Sequence, residues 1–266
     1  MRKKLVLLIS IITLLICTGC GDKPAGEPKD ILEQYYQGQL DGNFEASYNL
    51  LSSENKEQIS LEEFKDWNNI SNQLSKTNSF TTTKEEELTG YNYNGKEYKY
   101  AFKFITSFKE YDYITEKDTI YESIKIVVSE NKEWKVLSEE SYRTKYAYLT
   151  DYLGWAYREG KSFDKDVNLA ISYFLKAIEI DPDYAATYYD IAYAYSYKEQ
   201  YDKALEYTII GITKQTDEIA LSDLYNMKGT ILQAKSDYEE AKKAYNKSLE
   251  LNPDNVYAGD NLEILD

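Results

Sequence analysis

Apolar residues first recur at helical spacing. Ile31, Leu32, Tyr35, Tyr36 and Leu40 mark one helix, and Gly42 stops it. Phe44, Tyr48 and Leu51 predict a second, short helix. Ser60, three residues before Glu63, forms a capping-box signature that opens a third carrying Leu61, Phe64 and Trp67. The period then becomes two. Tyr98, Tyr100, Phe102 and Phe104 alternate with Lys99, Ala101 and Lys103, as a half-buried strand requires. Ile124, Ile126 and Val128 repeat the alternation, and Trp134 and Val136 continue it after the polar turn Glu130-Asn131-Lys132. Helices followed by antiparallel strands predict an α+β domain over residues 29–140, with the helices on one sheet face.

From Ser141 the period returns to helical and the pattern repeats. Leu153-Gly154 is followed by Tyr157, then by Ala170, Phe174, Ala177 and Pro182. Tyr188, Ile191, Ala192 and Tyr195 precede Tyr201, Ala204, Thr208 and Gly211, with Thr216 at the last position. Tyr225, Gly229 and Leu232 precede Tyr238, Ala241, Tyr245, Ser248 and Pro253, with Lys228 at a position that usually carries leucine. This spacing resembles the tetratricopeptide repeat, a pair of antiparallel helices. The longer turn from Arg158 to Asp166 makes the first unit similar to the related Sel-one-like repeats. Small residues (Gly154, Ala192, Gly229, Ala170, Ala204, Ala241) let paired helices approach, and aromatics fill the space between units. Residues 141–266 are therefore expected to form an all-α solenoid closed by a helix over Val256–Leu265.

In the tetratricopeptide family the first helix of each unit lines a concave groove. Carried over to this chain, the groove presents Tyr148, Asp151, Trp155, Arg158 and Glu159. It continues with Tyr189, Tyr193, Ser196 and Tyr197, then Asn226, Thr230 and Gln233. Trp155, Arg158, Tyr189, Tyr193, Tyr197 and Asn226 are the candidate partner-binding residues, because rigid amphipathic rings carry much interface energy. The same rings could instead serve as packing between helices. An extended peptide or partner helix is the expected ligand, since Arg158 is the only strong cation of this surface.

The run Tyr35-Tyr36 through Asn43-Phe44-Glu45-Ala46-Ser47-Tyr48 to Leu61-Glu62-Glu63-Phe64 resembles the start of the nuclear transport factor 2-like cone fold. That resemblance implies a second possible function, binding of a small molecule or cell-wall fragment within the cone. Asp66, Glu97 and Glu122 are carboxylates of this region, but they form no recognisable constellation and no catalytic residue is assigned.

Residues 1–19 have a basic start, Arg2-Lys3-Lys4, and an apolar stretch from Leu5 to Ile16 that is too short to span a bilayer. Thr18-Gly19 before Cys20 resembles a bacterial lipobox, although Cys17 stands where leucine is usual. The resemblance implies lipidation of Cys20 and a membrane-anchored protein on the extracytoplasmic face. A cleaved leader without lipid, or an uncleaved anchor, is the alternative. Residues 20–28, rich in glycine and proline, then read as a tether.

Charge and composition narrow the function further. The net charge of -15 disfavours nucleic-acid binding. The chain has no histidine, and its two cysteines, Cys17 and Cys20, both lie in the leader. No cofactor or metal site is expected, and the chain reads as a scaffold rather than an enzyme. Its 28 tyrosines suit half-buried helix faces and binding grooves.

Overall fold

A computed structural model describes residues 23–265. The leader and Cys20 lie outside them. Helix α1 (Pro28–Leu40) opens on a proline, whose missing N–H is harmless in the first turn. Gly42, at φ 72°, turns the chain toward α2 (Phe44–Asn49). A helix absent from the sequence pattern follows, α3 (Ser53–Gln58), capped by Ser52. The Ser60 signature is realised in full at α4 (Leu61–Leu74). The Glu63 N–H donates to Ser60 Oγ at 3.3 Å, and the Ser60 N–H donates to Glu63 Oε2 at 2.8 Å.

Six strands follow: β1 (Ser75–Leu88), β2 (Tyr91–Tyr93), β3 (Lys96–Tyr98), β4 (Ala101–Asp112), β5 (Lys117–Glu130) and β6 (Glu133–Leu137). Four of them form an antiparallel sheet in the order β1-β4-β5-β6, and β2–β3 is a separate hairpin. The alternation from Tyr98 to Phe104 is thus divided between two strands. Phe102 and Phe104 face the helices, with Phe108, Val127, Trp134 and Val136, and meet Leu32, Tyr35, Tyr36, Leu51 and Phe64. Tyr98 joins Ala101, Ile126, Val128 and Leu137 on the other face, beneath the hairpin. Asn131 and Lys132, at φ 51° and 65°, make the two-residue turn between β5 and β6 that matches the twist of paired strands.

The expected tether meets the sheet before α1 begins. Trp134 Nε1 donates to the Gly26 carbonyl at 3.0 Å, and Lys23 Nζ sits 5.3 Å from the centroid of the Phe102 ring. Pro24 and Pro28 are buried.

The second half is a run of seven helices: α5 (Tyr142–Glu159), α6 (Val167–Ile180), α7 (Ala186–Tyr197), α8 (Tyr201–Lys214), α9 (Glu218–Ala234), α10 (Tyr238–Leu251) and α11 (Val256–Leu265). Small residues set the spacing of the pairs. A Cβ on Gly154 would meet Phe174 Cε1 at 2.8 Å, and one on Gly229 would overlap the Tyr245 ring. Ala170, Ala192, Ala204 and Ala241 are fully buried. The residues inserted before the third unit lengthen the start of α9, which runs for 17 residues against 12 in α7.

The halves share one core. Tyr35 and Tyr142 join their hydroxyls at 2.8 Å, and Trp67 meets the Tyr142 ring edge-on at 5.5 Å. Asp66 binds Lys176 Nζ at 2.6 Å and accepts from the Tyr146 hydroxyl. Ile70, Leu74 and Ile114 pack with Tyr146, Ala147 and Leu153.

Candidate partner-binding groove

The groove residues come from the first helix of each pair, and helical spacing arranges them in stripes. On α5, Tyr148, Tyr152 and Trp155 stack in sequence, with centroids 6.1 and 5.4 Å apart and planes within 5° of parallel. Tyr152 was not among the expected groove residues. The signal was present, since it lies four residues after Tyr148 and three before Trp155. Trp155 itself is half-buried and touches two apolar clusters, so it backs the groove as much as it lines it.

Arg158 sits at the centre of a polar layer between α5 and α7. Its Nη1 donates to Asp190 Oδ1 at 2.6 Å and its Nε to Glu159 Oε1 at 2.8 Å. Its guanidinium lies 4.5 Å from the centroid of the Tyr193 ring. The side chain is 9% exposed and already paired, so the structure places this cation inside the groove wall rather than free to meet a ligand. Burial raises the Asp190 carboxyl, against the opposing pull of Arg158. Asp151, one helical stripe away, is raised further by burial and by the charge of Asp190. Its Oδ1 and the neighbouring Thr187 Oγ1 are buried with no hydrogen-bond partner among the described residues. Asp190 lies 32 positions from Arg158, and nothing in the sequence pairs the two.

On α7, Tyr193 and Tyr197 are exposed by 41% and 59%, and Tyr197 lies 4.5 Å from Lys165 Nζ. Tyr189 is half-buried, and desolvation lifts its hydroxyl to about 12. On α9, Asn226 Oδ1 accepts from Asn261 Nδ2 at 3.2 Å, so α11 engages this side chain. Gln233 accepts from the Tyr245 hydroxyl at 2.7 Å. The exposed rings on these first helices are Tyr148, Tyr193 and Tyr197, with Tyr152 half-buried beside Tyr148 and the carboxylates of Glu159 and Asp190 beside Arg158. The surface they make is aromatic and acidic. Among the described residues, no group of histidine, cysteine and carboxylate side chains is placed to hold a metal ion.

Tetratricopeptide repeat profiles match residues 153–184, 173–206 and 222–255. The helical half is accordingly built of tetratricopeptide repeats. The second match begins inside α6, one helix out of step with the expected unit. Over 102 residues the chain is 38% identical to the TPR repeat-containing protein MJ1428 of Methanocaldococcus jannaschii, covering 38% of this chain and 17% of that protein. Among solved structures it is similar to the first TPR of Spaghetti (RPAP3) bound to an HSP90 peptide. That match has 23% identity and a TM-score of 0.40, and covers 45% of this chain and 89% of that one. It is also similar to the N-terminal domain of stress-induced protein-1 of C. elegans. There the identity is 21% and the TM-score 0.41, with 48% and 100% coverage.

Proposed function

We propose that the protein is a scaffold that holds a peptide or helix of another protein in the groove of its tetratricopeptide repeats. The observation that carries this reading is the exposure of the Tyr148, Tyr193 and Tyr197 rings, beside carboxylates whose one central cation is already spent on Asp190. Such a surface suits a segment with apolar anchors and basic flanks, the rings supplying rigid contact area and the carboxylates orientation. A partner gripped through its own carboxylate is disfavoured, because Arg158 is largely buried and already paired with Asp190 and Glu159.

The second part of the proposal concerns location. The leader and its Thr18-Gly19-Cys20 run support lipid attachment at Cys20 and an extracytoplasmic position at the cell membrane. Among the described residues no helix is long and apolar enough to cross a membrane.

Cross-linking in cells tests the groove. The protein should recover a partner that a Tyr193→Ala, Tyr197→Ala double variant of unchanged melting temperature does not. Equal recovery by both would remove the groove from the account. Incorporation of a palmitate analogue that disappears in Cys20→Ser tests the anchor.

A further inference from the structure

On the side of α5 that faces the sheet domain, α1, α4, the inner sheet face and the start of α5 line a cavity of about 520 Å³. That volume lies within the range of small-molecule sites. One wall is aromatic. Phe108 and Tyr121 stack at 4.8 Å, and Tyr36 meets Phe108 edge-on at 4.8 Å. The polar groups are unevenly distributed. Where the chain passes from β6 into α5, the cavity is lined by two amines, those of Lys125 and Lys145.

The amine of Lys125 belongs to a side chain only 5% exposed on the inner face of β5. It donates to Ser138 Oγ at 3.1 Å and stands 4.0 Å from Glu140 Oε2, a carboxylate that also binds Lys145. Burial, aided by the nearby Lys145, lowers this amine to about 7. The Trp67 ring also lines the cavity, while its indole N–H is buried out of reach of it. At the far end Glu110 accepts from Ser75 Oγ at 3.1 Å and Thr77 Oγ1 at 3.5 Å, and burial raises its carboxyl.

We propose that this cavity binds a small organic acid, its aromatic or cyclic body against Tyr36, Phe108 and Tyr121 and its carboxylate toward Lys125. A buried cation with one neutral partner and one distant, shared carboxylate is stabilised by an anion brought to it. A cationic ligand would meet Lys125 and Lys145 at that end, and a purely apolar one would leave the Lys125 amine unmatched. Tyr148 of the proposed groove also lines the cavity, so the two sites meet at α5.

Calorimetric titration of the chain without its leader tests the assignment, with 4-phenylbutyrate, its neutral amide and 4-phenylbutylamine as probes. The acid should bind about tenfold or more tightly than either analogue. Lys125→Met, a close match in volume that should keep the fold, should reduce the acid to the level of the amide. Ser71→Trp, which fills the cavity from α4, should abolish binding of the acid. Equal affinity for the three probes, no binding of the acid, or an acid preference that survives Lys125→Met in a variant of unchanged circular dichroism would overturn the proposal.

Discussion

Lys125 carries a large pH dependence for a single side chain. Its amine is lowered from the ordinary 10.5 to about 7 by burial. Between those values the unfolded chain binds a proton that the folded chain lacks, so stability rises with pH through that window and the gain is absent below pH 7. The whole effect is on the order of 5 kcal/mol. Lys125→Met should melt higher at pH 6 than the parent and lose the rise in melting temperature between pH 7 and 9.5. Glycine 229 presents the opposite problem, too little room rather than the wrong charge. Gly229→Ala drives a methyl into the fully buried Tyr245 ring, which Gln233 also holds through its hydroxyl. A loss of about 1–3 kcal/mol in urea unfolding is expected. An unchanged midpoint would show that α9 and α10 can slide apart freely. Both residues could be located on elements from the sequence, but only Gly229 could be given its role. Repeat spacing announces a close helix contact, whereas nothing in Ile124-Lys125-Ile126 distinguishes a lysine on the inner face from one in water.

At the scale of elements, α5 and α7 are joined by the Arg158–Asp190 pair, and removing one partner is costly. Arg158→Ala leaves two carboxylates, Asp151 and Asp190, buried without a cation, so stability should fall by about 3–5 kcal/mol. Adding Asp190→Leu should restore most of it, and thermal unfolding of the single and double variants measures the coupling. Parity of the two variants would place the pair in solvent. The repeat helices were legible because each pair repeats a pattern with fixed small and aromatic positions. Strand β1 was not, since Ser75-Lys76-Thr77-Asn78-Ser79 and the acidic Glu85-Glu86-Glu87 lack alternation. It is an edge strand with register shifts at Thr77/Ser79 and Lys84/Glu86, where polar residues and bulges discourage pairing with other chains. Helix α3 escaped notice for a similar reason, being six residues long and polar, held by Ser52 and by Asn55 rather than by an apolar stripe.

Across the whole molecule, α5 belongs to both halves. Tyr142 and Tyr146 complete the core around Tyr35 and Trp67, while Leu153 and Ala156 belong to the repeats. Such sharing predicts one cooperative transition. Tyrosine near-ultraviolet dichroism and the helical signal should lose structure at the same urea concentration, and separated midpoints would mean that the halves unfold independently. The helices that carry the proposed groove were legible from repeat register alone. Its electrostatics were not, because Arg158 and Asp190 meet only after α5 and α7 stack. The segment from Lys23 to Pro28 has a consequence for distance. Its contacts with Trp134 and Phe102 leave only Gly21 and Asp22 between Cys20 and Lys23, a leash of three Cα steps that extends no further than about 11 Å. On the proposed lipid anchor at Cys20, that short leash would hold the sheet domain close against the headgroups.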